Sequence, residues 1–188
     1  MKVVRAYTGL VPDNPLARFV PELERPASAG SGDTGGLPEA EYVEAWKAAA
    51  QDPAFRRVQD EQVDSRYFDP AMRQADAAGV TSALARAELF DASIQHGNGS
   101  EYDALPALVA RTNARVGSAS QAGEQAWLDA FFDVRADDLT NPADSDTAEE
   151  WRKSVDRVEA LRRIARTGNY GLDGPFTVTA FGSGYTVS

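Results

Sequence analysis

Asp60-Glu-Gln-Val-Asp-Ser-Arg-Tyr-Phe-Asp-Pro-Ala-Met-Arg-Gln-Ala75 is the stretch on which the reading of this chain turns. It gathers acids, arginine and two aromatics, Tyr67 and Phe68, into the joint between two helices. Asp69-Pro70 marks the joint. Aspartate can accept from the free N–H groups of a helix start, and proline suits the first helical position because its missing N–H has no partner there. The same pairing stands at Asn14-Pro15 and Asp52-Pro53, so helix starts recur along the chain.

Outward from this joint the apolar spacing is helical. Leu16, Phe19, Val20 and Leu23 repeat after Asn14-Pro15, and Pro26 is expected to end that run. Residues 26–36, rich in Gly, Ser and Ala, read as a flexible loop too short to divide domains. Tyr42, Val43 and Trp46 lie on the next helix, and Gly79 closes the one begun at Pro70. Ser82 to His96 is the most apolar helix, with Ala83, Ala87, Phe90 and Ile94 expected on its inward stripe and Gly97 as its stop. Leu105, Leu108, Val109, Thr112 and Val116 form another stripe, and Trp127, Phe131 and Val134 mark the helix after it. Thr147-Ala-Glu-Glu150 is a capping box opening a helix with Trp151, Val155, Val158, Leu161 and Ile164 inward, stopped by Gly168-Asn169. The tail from Pro175 to Phe181 alternates and is β-branched, which predicts extended structure or a short strand. The expected fold class is all-α, about seven or eight helices in a single domain over 1–188, with a short extended C-terminal tail.

Composition narrows the function classes. A chain of 188 residues with 43% hydrophobic and 26% charged residues can build a real core. Acids outnumber bases 29 to 19, a net charge of -10. That balance argues against nucleic acid, which needs clustered Lys and Arg, and suits a polycation or solubility alone. There is no cysteine and a single histidine, so disulfides, thiol catalysis and multi-histidine metal sites are not expected. No apolar run of about 18 residues predicts a membrane span. The start, Met-Lys-Val-Val-Arg-Ala-Tyr, is too short and polar for a signal peptide. No phosphate-binding loop, nucleophile elbow or dinucleotide fingerprint appears, and no cofactor is expected.

The sharpest candidate is Asp91. On a helical wheel it neighbours Leu84, Ala87 and Ile94, so it should be largely buried and in need of a cation. Arg135 stands at helical spacing from Leu128, Phe131, Phe132 and Leu139, and Arg157 borders the face of Leu161 and Ile164. One acid and two arginines on inward faces suggest a shared ionic cluster. Its alternative reading is a purely structural bridge. Tyr67, at a helix end, could stack on a sugar. His96 precedes Gly97 at a helix C-terminus, where the dipole favours its charged form, and a capping role is the alternative. Asp137-Asp138 and Glu149-Glu150 read as solvated faces or cap charges.

Three stretches resemble the chitosanases of glycoside hydrolase family 46: Asp60 to Ala75, Leu89-Phe-Asp-Ala-Ser-Ile-Gln-His-Gly97, and Arg157-Val-Glu-Ala-Leu-Arg-Arg-Ile-Ala-Arg-Thr-Gly-Asn169. Their order and spacing from Tyr7-Thr8 onward also fit. The resemblance implies a lysozyme-like two-lobed helical glycoside hydrolase that is secreted and cuts β-1,4-linked glucosamine in chitosan with inversion. It implies that Asp91, Arg135 and Arg157 form the catalytic-support network behind the general acid, and that Tyr67 and His96 lie near the sugar. Trp46 matches a family tryptophan, although a core role fits it better. The family's catalytic Glu and Asp would precede Met1, so no catalytic residue is assigned in this chain, and Asp60, Glu61 and Asp64 do not stand in family context. A further family acid meets Asn141-Pro142 here, where Asp144 or Asp146 could substitute. The expected partners are chitosan or glucosamine oligosaccharides, with no nucleic acid and no membrane. Loss of an N-terminal segment would bare apolar surface and favour self-association. The alternative function is a non-catalytic chitosan-binding or structural helical protein.

Overall fold

The computed structural model describes residues 1–28, 36–142 and 148–188, side chains of 26–28 excepted. The chain divides into two compact units, Met1–Ser65 and Arg66–Ser188. Part of the 26–36 stretch (29–35), the capping-box residue Thr147, and Asp144 and Asp146 lie outside the described residues.

The first unit holds α1 (Lys2–Leu10), a 3-10 turn (Ala17–Phe19), α2 (Val20–Ser28), α3 (Glu39–Ala49) and α4 (Pro53–Val63). Asn14 does cap, accepting from Leu16 N at 2.8 Å, but the chain makes a 3-10 turn before α2 begins. Pro26 does not end that helix, which runs on to Ser28 with the proline in its last turn. Asp52 caps α4 as expected: Oδ1 accepts from Ala54 N at 2.8 Å, and Oδ2 accepts from Tyr7 Oη at 2.7 Å. Tyr7 is buried beside Phe55, with ring centroids 4.9 Å apart, and Trp46 meets Phe55 edge-on at 5.0 Å. Trp46 is therefore partly buried and packs against the core of this unit.

The second unit contains α5 (Asp69–Ala78), α6 (Ala83–His96), α7 (Leu105–Val116), α8 (Ala119–Ala122), α9 (Glu124–Thr140), α10 (Ala148–Lys153) and α11 (Val155–Arg166). The long α9 packs against α7, α8, α10 and α11. Its core includes Leu84, Leu89, Leu105, Leu108, Trp127, Leu128, Phe131 and Phe132. The tail is a hairpin of β1 (Phe176–Ala180) and β2 (Ser183–Val187), antiparallel with Phe176 opposite Val187 and Val178 opposite Tyr185. The single helix expected from Thr147 is two, α10 and α11, separated at Ser154.

Two expectations need correction here. Asp69 does not cap a helix start, because the backbone arrives already helical through a π turn, Asp64–Phe68. The cause is Pro70. It has no N–H for the carbonyl of Arg66 four residues back, and its ring crowds that carbonyl. The freed Arg66 oxygen is met by Asn98 Nδ2 at 2.9 Å instead, and the Tyr67 oxygen by Ser93 Oγ at 2.8 Å. The inward stripe of α6 is also rotated from the one expected. Leu84, Ala85, Glu88, Leu89, Ala92, Ser93 and His96 are buried, while Ala83 and Ile94 are exposed. Alanines are weak markers of a helix face, and the larger leucines decide which side turns in.

Candidate active site

Glu124 at the start of α9 fixes where α6 begins. Its carboxylate accepts from Thr81 N at 3.0 Å, Thr81 Oγ1 at 2.7 Å and Ser82 N at 2.7 Å. Ser82 in turn caps α6 through Ala85 N. The two helices therefore start together. At about 1.5 Å per residue, Asp91 stands about 12 Å along α6 and Arg135 about 16 Å along α9. Side chains lean toward the helix N-terminus, so a long arginine reaches back to the acid's level.

The structure brings Asp91, Arg135 and Arg157 together. Arg135 Nη2 donates to Asp91 Oδ2 at 2.6 Å, and Arg157 Nη2 donates to Asp91 Oδ1. Asp91 is partly rather than fully buried, its side chain 21% exposed against 0% for Arg135 and 34% for Arg157. The cluster thus runs from the core to the surface. Burial works to raise the Asp91 carboxyl, but Arg135 and Arg157 outweigh it and hold the group below the usual carboxylate range. Arg135 is held charged despite burial, which alone would lower it, by Glu88 and Asp91.

Sequence reasoning missed two acids in the cluster. Glu88 is fully enclosed, and its Oε1 accepts from Arg135 Nη1 at 2.8 Å. Burial pushes its carboxyl up to about 7 against the pull of Arg135. It lies three residues before Asp91, the spacing that puts two side chains on one helix face, and that was the available signal. Asp138 is not the solvated charge expected of the Asp137-Asp138 pair. It is 5% exposed, it accepts from Arg111, and its Oδ2 faces His96 Nδ1 at 3.8 Å. Its place three residues after Arg135 on α9 was the corresponding clue. Asp137, Glu149 and Glu150 are exposed, as expected.

His96 is placed in the same cluster with its side chain 0% exposed, meeting Trp151 edge-on at 5.1 Å. Arg135 Nε donates to its Nε2 at 3.4 Å, so the neutral ring carries its proton on Nδ1. The helix dipole does not keep it charged, contrary to expectation. Burial, reinforced by the Arg135 charge, depresses it to about 3. Tyr67 is half-buried on the π turn, its ring 5.8 Å from the Arg66 guanidinium, and its carbonyl is tied to Ser93, two residues after Asp91 on α6. Phe68 rests edge-on against Phe90 at 5.5 Å. Among the described residues no group of three or more His, Cys, Asp or Glu is placed to hold a metal, and no helix is long and apolar enough to cross a membrane.

This geometry can keep an anion ionised, fix it between two guanidiniums and present it at the edge of the core. Comparison with known proteins gives consistent relatives. The model of glycosyl hydrolase family 46 matches residues 1–176. A chitosanase of Bacillus subtilis (strain 168) is 47% identical over 180 residues, which cover 95% of this chain and 64% of that protein. The chain therefore spans a little under two thirds of that curated relative. The crystal structure of native chitosanase from Bacillus subtilis MY002 superposes with a TM-score of 0.88 at 44% identity, covering 100% of this chain and 78% of the other. A family 46 chitosanase of Gynuella sunshinyii in complex with chitotetraose gives 0.87 at 38% identity, covering 100% of this chain and 77% of the other.

Proposed function

Because the chain belongs to glycosyl hydrolase family 46, we propose that it is the greater part of a chitosanase that cuts β-1,4-linked glucosamine chains internally, with inversion at the anomeric carbon. The observation that carries this reading is the Asp91 carboxylate gripped by Arg135 and Arg157. Inversion requires a protonated acid on one side of the bond and a carboxylate base beyond a water on the other. On this reading the acid and base come from the part of the family domain that these residues do not span. The present residues supply the network that orients the acid and adjusts its proton affinity. An anion held between two fixed cations can do both, since it neither rotates nor titrates near neutral pH. Tyr67, on the π turn, contributes to the sugar cleft, and His96 supports it from beneath through Arg135. A whole protein of this kind works outside the cell on a cationic polymer, which the net charge of -10 favours.

The test is reducing-end release from chitosan by the whole protein, with Arg135→Gln compared against wild type. Internal cutting that falls with this variant supports the assignment. Glucosamine oligomers bound but never cut would move the protein to the non-catalytic, chitosan-binding reading. No binding at low salt and no cutting would sink both.

A further inference from the structure

Glu88 has no role in the reading above, yet it is among the most enclosed charged groups in the chain. Oε1 accepts from Arg135 Nη1 at 2.8 Å, while Oε2 is buried with no hydrogen-bond partner. Glu88 and Asp91 leave α6 on one face and meet the two ends of one guanidinium fork. We propose that Glu88 is a positioning residue for the network: it fixes the fork of Arg135 so that Nη2 faces Asp91, and a proton taken up on its free Oε2 makes Asp91 the sole anion between Arg135 and Arg157.

Among the described residues no group donates a hydrogen bond to Oε2. From α9, Arg135 already gives Glu88 its one contact and turns its other nitrogens to Asp91 and His96. From α11, Arg157 is bonded to Asp91, and Arg162, whose charge also favours the ionised form of Glu88, gives its Nη2 to Asp133 at 2.9 Å and its Nη1 to Glu159 at 3.3 Å. From α5, Asp76 is paired with Arg86, and from α7, Arg111 with Asp138. On α6 itself Asp91 repels a second negative charge, and His96 is neutral. With Glu88 ionised, two carboxylates balance two arginines. With Glu88 protonated, Oε1 still accepts from Arg135, and Asp91 alone answers both guanidiniums. The unpartnered atom is thus the one free to take the proton, and the change is felt at Arg157, the arm of the network that reaches solvent.

The functional consequence rests on the support-network reading, but the proton is read without any sugar. Side-chain carbon NMR of residues 1–188 would follow Glu88, Asp91 and the Arg157 guanidinium across pH. Glu88 is expected to titrate near 7, apart from the exposed glutamates, with steps in the Asp91 and Arg157 signals at the same midpoint. Glu88→Gln, which imitates the protonated carboxyl, is expected to show the low-pH Asp91 and Arg157 signals at every pH. Titration of Glu88 together with the surface glutamates overturns the proposal, as does an Asp91–Arg157 step that survives in the variant. If Glu88→Gln does not fold, the wild-type curves decide: a shared midpoint supports the coupling, and separate midpoints refute it. Chitosan hydrolysis by the whole protein is unaffected by either outcome as evidence, so the two readings fail independently.

Discussion

Replacing Asp91 by alanine removes, among the described residues, one of two carboxylates on Arg135 and the one anion on Arg157. Arg135 keeps Glu88, and Arg157 is exposed enough to turn to water. The cost should be that of lost charged hydrogen bonds, about 1.5–3 kcal/mol. Removing both acids with Glu88→Gln and Asp91→Asn leaves Arg135 buried without an anion, a situation that costs about 3–5 kcal/mol. Urea melts of Glu88→Gln, Asp91→Asn and the double variant should therefore show losses that do not add, and simple additivity would mean the acids do not share Arg135. A second residue-scale expectation concerns pH. Glu88 has a folded pKa raised from 4.5 to about 7, so its contribution is full below the unfolded value and is lost as pH rises across that window. His96 has a folded pKa lowered from 6.5 to about 3, so its contribution is full above the unfolded value and is lost as pH falls. The two slopes, each at most about 1.4 kcal/mol per pH unit, oppose one another where the windows overlap. Relative to wild type, Glu88→Gln should make stability climb with pH through that overlap, and His96→Gln should make it decline. Parallel curves for all three proteins would show that neither residue titrates as its burial dictates.

At the scale of elements, the π turn is the piece whose chemistry is held by others. Ser93 Oγ donates to the Tyr67 carbonyl at 2.8 Å and accepts from Asn98 Nδ2 at 2.7 Å, while the same Asn98 group holds the Arg66 carbonyl. Ser93→Ala breaks this link at a fully buried position, for about 1 kcal/mol of stability. Faster hydrogen exchange at 64–68 should accompany it, with α6 itself unchanged. Unaltered exchange there would mean the turn is held by Pro70 and its own backbone alone. The sequence marked this joint through Asp69-Pro70 but assigned Pro70 the wrong consequence. A proline after a cap residue reads as a helix start, and only the preceding turn, already wound, converts it into a bulge. The face of α6 was misjudged for a related reason. In a helix rich in alanine, periodicity is weak, and the leucines, packed among α5, α7 and α11, decide which side is buried. Arg135 was legible because four large apolar residues flank it on its own helix. Glu88 and Asp138 were not, since a carboxylate looks solvated until its cation is seen on another element.

For the whole molecule, composition left a polycation partner or solubility alone as its readings, while the division into units at Ser65 left no trace in it. A net charge of -10 on 188 residues acts at long range on a polycation and is screened within about 8 Å at physiological salt and about 3 Å near 1 M. Affinity for glucosamine oligomers should accordingly drop steeply as salt is raised. Neutral, fully acetylated oligomers should show little of that dependence, because they carry no charge to be steered. Calorimetric titration over a salt series separates the two. If both ligands respond alike, the surface charge serves solubility and the sugar is held by short-range contacts. Catalysis adds a sharper discriminator. General acid and general base each contribute roughly 100- to 10,000-fold, so if both lie outside residues 1–188, as proposed above, these residues alone should release almost no reducing ends while still binding the polymer. Supplying the family's N-terminal segment as a separate polypeptide should then raise turnover, and the gain should vanish when Arg135→Gln removes the grip on Asp91. Vigorous hydrolysis by residues 1–188 alone would instead place the acid and base among the carboxylates present here, and its loss on changing one of them would identify which.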